Sequence, residues 1–133
     1  MYEKTETFNK HAWSSNNKLS FIFTITDTTA SYNIYAVIRH TDAYHFNNIW
    51  LNATTVAPGD TAGTQQINLK LGDNTKGWLG AAMDDIIEHR ILLTRFPVKL
   101  KKGNYNFMLQ QIMRDDPLQN VMNAGIRVEK AVQ

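Results

Sequence analysis

The 133-residue sequence predicts an all-β domain: an antiparallel, jelly-roll-like β-sandwich of seven or eight strands. Three observations carry this reading. Apolar residues recur at every second position through several segments, turn-forming residues separate those segments at short intervals, and helical spacing recurs in one place only. With 43% hydrophobic and 20% charged residues, the composition is that of a folded chain, and at this length one core suffices.

From Lys18 to Asp27, Leu19, Phe21, Phe23 and Ile25 alternate with polar residues, the period of a half-buried strand. Tyr32 to His40 repeats this through Ile34, Ala36 and Ile38 after a polar turn at Thr28 to Ser31. Asn48 to Val56 alternates through Ile49, Leu51 and Ala53, then Pro58-Gly59-Asp60 breaks the chain before Ile67, Leu69 and Leu71. Ile91 to Leu100, Tyr105 to Met113 and Gly125 to Lys130 read as further strands. Between them, Met83, Ile86, Ile87 and Ile91 fall near helical spacing, so that 81–91 reads equally as a loop or as about two turns of helix. The opening Met1 to Thr7 is polar, and residues 1–12 read as a flexible N-terminal tether left after removal of a signal or lipobox segment, with 13–133 forming a single sandwich domain.

Composition removes several function classes. With no cysteine there is no disulfide, thiolate nucleophile or cysteine-bound metal. A net charge of +2 with scattered basic residues, only Lys99, Lys101 and Lys102 forming a short run, does not predict nucleic-acid binding.

Each cluster with chemical potential has a simpler explanation. His40, Asp42 and His45 offer imidazoles and a carboxylate, but not in a known zinc-ligand spacing, and read as neutral or exposed loop residues. Asp84-Asp85 and Asp115-Asp116 are candidates for paired acid and base, yet adjacent side chains diverge and Asp115-Asp116-Pro117 is turn chemistry. The stretch Gly72 to Gly77 lacks the spaced carboxylates of a calcium loop. Asn52-Ala53-Thr54, a glycosylation-type triplet, lies in a predicted strand, and Ser14, Ser15, Ser20 and Ser31 have no nucleophile elbow around them. No catalytic residue, cofactor or metal is assigned.

Aromatic residues remain. Phe21, Phe23, Tyr105 and Phe107 are expected in the core. Trp13, Tyr32, Tyr35, Tyr44, Phe46 and Trp50 can supply contact surface, and Tyr44, Phe46 and Trp50 form the candidate patch. Gly77 and Gly80 bracket Trp78 and can tuck its indole over the end of the core, while Arg39 and Arg114 are candidates to pair with Asp85 or Glu129.

An ordered set of short motifs runs along nearly the whole chain. The first half has Trp13, Leu19-Ser20-Phe21-Ile22-Phe23, Ile25-Thr26-Asp27-Thr28, Tyr32-Asn33 and Arg39. The second has Gly77-Trp78-Leu79-Gly80, Asp85-Ile86, Arg95-Phe96-Pro97, Gly103-Asn104-Tyr105, Gln110-Gln111-Ile112-Met113-Arg114 and Gly125-Ile126-Arg127-Val128-Glu129-Lys130. The set resembles the gliding motility-associated lipoprotein GldH family. That resemblance implies a non-enzymatic, bacterial lipoprotein of the cell envelope, periplasmic or on the outer membrane after signal peptide cleavage. An acylated N-terminal cysteine, absent from this chain, would anchor it. It implies contacts with other envelope proteins of the motility or secretion machinery, without nucleic acid. The alternative from a different class is a carbohydrate-binding module using the Tyr44 to Trp50 aromatics.

Overall fold

The computed structural model describes residues 1–132 and is a two-layer, antiparallel β-sandwich. In chain order the strands are β1 (Tyr2–Thr7), β2 (Ala12–Trp13), β3 (Leu19–Ile25), β4 (Ser31–Thr41), β5 (Asn48–Val56), β6 (Gly63–Lys70) and β7 (Gly72–Asp73). They continue with β8 (Gly77–Trp78), β9 (Ala81–Met83), β10 (Ile86–Leu92), β11 (Val98–Lys99), β12 (Gly103–Gln111), β13 (Leu118–Gln119) and β14 (Val121–Lys130). One sheet runs β1-β14-β4-β10-β9 with β11 also on β4, and the other runs β3-β12-β5-β6. Among the eight long strands, every connection except the β5–β6 hairpin crosses from one sheet to the other, which is the jelly-roll arrangement expected from the sequence.

Alternation fixes which faces meet. Leu19, Phe21, Phe23 and Ile25 of β3 point inward with Tyr105, Phe107 and Leu109 of β12 and Ile49 and Leu51 of β5. They meet Ala36 and Ile38 of β4 and Ala124, Ile126 and Val128 of β14 from the other sheet. Phe23 and Tyr105 are opposite each other in register and their rings stack at 5.2 Å. Trp13, fully buried, closes one end and stacks on Phe8 at 4.8 Å. The outward face of the first sheet bears a charge ladder across four strands. Arg127 pairs with Glu3 and Glu129, and Arg90 pairs with Glu3 and Glu88. Arg39 pairs with Glu88, not with Asp85 or Glu129.

Three expectations need correction. The opening segment is not a tether along its length: residues 2–7 form an edge strand in continuous register with β14, from Tyr2 opposite Val128 to Thr7 opposite Asn123. Backbone hydrogen bonding, which leaves no apolar pattern, holds it there. The 81–91 segment is neither loop nor helix but the β9–β10 hairpin, turning at Asp84 with φ 56°. Its near-helical spacing is produced by a strand whose inward positions, Ile87, His89 and Ile91, include a histidine. The expected strand from Ile91 to Leu100 is interrupted, β10 ending at Leu92 and β11 covering only Val98–Lys99.

Antiparallel order sorts the connections into two ends. Loops 26–30, 57–62 and 93–102 lie at the end where β1 begins and β14 finishes. There Lys101 pairs with Asp60 at 2.9 Å and Lys130 with Asp27 at 2.9 Å. The longer loops 8–18, 42–47, 71–85 and 112–120 lie at the far end.

Candidate functional site

The far end is built by loops tied to one another through main-chain groups. Asp42 N–H donates to Asp85 O at 2.9 Å, Leu71 and Gly72 N–H both donate to Asn47 O, and Phe8 N–H donates to Met122 O at 3.0 Å. Gln111, fully buried at the end of β12, donates through Nε2 to Trp13 O at 3.1 Å and accepts from Met113 N–H at 2.8 Å. This fixes the exit of β12 and presents Ile112, Met113 and Arg114 beside β5. Because Ile49 and Leu51 point into the core, Trp50 must point out, and it is 40% exposed. Ile112 N–H donates to Trp50 O at 3.0 Å, and Trp50 N–H lies 3.1 Å from Met113 Sδ.

The result is a surface groove of about 560 Å³ lined by Phe46, Trp50, Ile112 and Met113, with Asn48, Gln66 and Arg114 as its polar members. No carboxylate lines it, and among the described residues Arg114 has no ion-pair partner. An apolar floor with one free guanidinium and two side-chain amides suits a ligand or segment that offers apolar surface together with an anionic or hydrogen-bonding group.

Of the three candidate contact residues, the structure brings Phe46 and Trp50 together in this groove, Phe46 half-buried against the core. Tyr44 is 5% exposed, so it offers no surface: its hydroxyl donates to Asn48 O at 2.8 Å and its ring packs on His40 and Trp78. Trp13 and Tyr32 are buried, and Tyr35 is half-buried on the charged outer face.

His40, Asp42 and His45 do not converge. Asp42 and His45 are exposed, whereas His40 is completely buried on β4 and is not a loop residue. Its partner is His89 of β10, Nε2 to Nε2 at 2.8 Å. His40 Nδ1 faces Thr41 O at 2.8 Å, so the consistent assignment has Nδ1–H donating there and His40 Nε2 accepting from His89 Nε2–H. Trp78 covers the pair, its ring 4.5 Å from that of His40. Burial lowers both imidazole pKa values, and with the neighbouring His40 it pushes His89 down to about 4. Burial likewise raises the Tyr44 phenol, with Asp115 adding to the effect. Sequence reasoning missed His89. Its signal was the alternation Ile87, His89, Ile91, hidden while 81–91 was read at helical spacing.

The remaining candidates are structural. Asp73 accepts from Thr75 N–H, Thr75 Oγ1 and Lys76 N–H, closing its own turn. Asp116 accepts from Ser15 N–H and Oγ, joining two loops. Asp84 and Asp85 occupy the β9–β10 turn, and Asn52 lies within β5, paired on both sides. Ser14 and Ser15 lie in the loop before β3, and Ser20 on β3 donates to Asn106. Ser31 opens β4 and accepts from Ala131 N–H through its carbonyl. Among the described residues no three His, Asp or Glu side chains converge as metal ligands.

Fold and groove together define a class: a jelly-roll module with a partly aromatic groove on the outward face of its β3-β12-β5-β6 sheet. Within that class the chain belongs to the GldH lipoprotein family, whose model matches residues 1–128. It is similar to the gliding motility lipoprotein GldH of Flavobacterium johnsoniae, 24% identical over 126 residues that cover 90% of this chain and 78% of that protein. It is also similar to the gliding motility lipoprotein GldH homolog of Christiangramia forsetii, 22% identical over 138 residues that cover 98% and 84%. The solved structure of infectious bursal disease virus Gx strain aligns with a TM-score of 0.32 and 13% identity, covering 96% of this chain and 29% of that one, too remote to carry an argument.

Proposed function

We propose that this chain is the folded part of an envelope lipoprotein that contributes to gliding motility, or to associated secretion machinery, by holding a segment of another envelope protein in the Trp50 groove. The observation that carries the reading is the pairing of an exposed tryptophan with an unpartnered Arg114 over an apolar floor. Tryptophan and arginine are the side chains most enriched among residues that dominate protein–protein binding. The acylated N-terminus implied by family membership would precede β1.

A glycan-binding reading rests on the same Trp50, with Asn48 and Gln66 beside it. It is the weaker of the two, because burial of Tyr44 and half-burial of Phe46 leave one exposed ring where a stacking platform needs a broader face.

The test is capture of the full-length, lipid-modified protein from mild detergent extracts of its own envelope, beside Trp50→Ala and Arg114→Glu variants. Recovery of motility or secretion proteins by the parent, lost in both variants together with gliding, supports the proposal. Equal recovery by parent and variants overturns the groove as the contact. Retention of glycan alone moves the assignment to the carbohydrate reading.

A further inference from the structure

The two ends of the sandwich carry opposite charge. The far-end loops hold six aspartates against Lys10, Lys18, Lys76 and Arg114. Loops 26–30, 57–62 and 93–102, at the end where the chain begins, hold Arg95, Lys99, Lys101 and Lys102 against Asp27 and Asp60. Lys130 engages Asp27 and Lys101 engages Asp60, which leaves Arg95, Lys99 and Lys102 without an acidic partner among the described residues. In the same set of loops Phe96, preceding Pro97, is 68% exposed in a turn between β10 and β11.

We infer that this basic end, with Phe96 as its apolar tip, rests on the anionic headgroups of a phospholipid bilayer. The inference depends on the lipoprotein reading above, because position identifies the occupant: β1 starts here, Tyr2 opposite Val128, so any lipidated segment preceding it leaves the fold at this end. A lipid anchor brings this end to a membrane, where lysine ammonium groups meet anionic phosphate and a phenylalanine ring enters the boundary between headgroups and acyl chains. The aspartate-rich loops then face away, and the molecule stands with one end on the membrane.

The absence of cysteine makes the test direct. The soluble chain bearing Phe96→Cys, labelled with an apolar environment-sensitive fluorophore, is titrated with vesicles of phosphatidylglycerol and phosphatidylcholine, and with phosphatidylcholine alone. An Asp84→Cys variant carries the same label at the far end. The expected result is a blue shift at position 96 with anionic vesicles only, reversed by salt, and none at position 84. Each basic side chain near such a surface contributes about fivefold in affinity. Lys101→Glu with Lys102→Glu in the otherwise native chain should therefore weaken vesicle flotation at least tenfold, while Lys10→Glu with Lys18→Glu leaves it unchanged. No shift at low salt, an equal shift at position 84, or indifference to the Lys101 and Lys102 reversals overturns the inference. Mass spectrometry of the protein from its envelope tests the lipoprotein reading separately: an N-terminus without acyl chains refutes that reading, whereas the vesicle titration uses no lipid anchor.

Discussion

At position 80 a β-carbon would stand 2.3 Å from the Glu88 carbonyl oxygen and 2.8 Å from His89 Nδ1, so Gly80 is required for the loop to pass β10 and lay Trp78 over the histidine pair. Gly80→Ala is expected to lower stability by about 2–3 kcal/mol, through strain and a displaced indole, measured by urea denaturation. The three tryptophans are graded by depth: Trp13 buried, Trp78 half-buried and Trp50 exposed. Acrylamide quenching should therefore fall markedly in Trp50→Phe, whereas Trp13→Ala should cost about 3–5 kcal/mol through the cavity it opens beneath Phe8. The outward aim of Trp50 was legible from its place between Ile49 and Leu51. The burial of Tyr44 was not, because nothing local to a loop says that it folds back over the core.

β1 shows most clearly what a strand's sequence can conceal. Its register with β14 brings Lys4 O to within 2.0 Å of where a β-carbon on Gly125 would lie, so glycine at that position permits the pairing. Tyr2 adds a ring contact with Phe23 at 5.8 Å. Deleting residues 1–7 is expected to destabilise the domain by about 2–4 kcal/mol, by uncovering the edge of β14 and losing a row of hydrogen bonds. A flexible tether would be removed without effect, and thermal melts of the two chains decide the matter. The β9–β10 hairpin makes the same point from the other direction. Met83, Ile86, Ile87 and Ile91 imitate a helix by spacing, but Ile87 and His89 lie opposite His40 and Ile38, and sheet pairing outweighs the local pattern.

For the whole molecule, the His40–His89 pair links folding to pH. The unfolded chain binds a proton on each imidazole near pH 6.5, whereas His89 in the folded state does so only near 4, and His40 is also lowered. Stability is therefore full above about pH 6.5 and declines as the pH falls from there toward 4. His89 alone accounts for roughly 2–3 kcal/mol of that decline. Chemical denaturation across this range should show the loss, and His89→Gln, which keeps a donor for His40 but does not titrate, should reduce it to the part due to His40. Asp27, Asp116 and Glu129, held below the usual carboxylate range by hydrogen bonds to Thr29, Ser15 and Tyr35 respectively, add their own losses only at more acid pH.

The amino-acid sequence by itself determined the class and, for most of the long strands, which face meets the core. Period-two alternation at Leu19 to Ile25, Ile34 to Ile38, Ile49 to Ala53 and Tyr105 to Leu109 records which side of each strand meets the core, and that information is local. Motif order determined the family in the same way, since it is a property of the chain and needs no coordinates. Only the tertiary structure decided how the eight long strands divide between the sheets, that Tyr2 to Thr7 is an edge strand, that His40 meets His89 across 49 positions, and that Trp50 shares a groove with Arg114 across 64. These outcomes come from pairings between segments far apart in the chain, and hydrogen bonding and burial between such segments leave no periodic trace in either one.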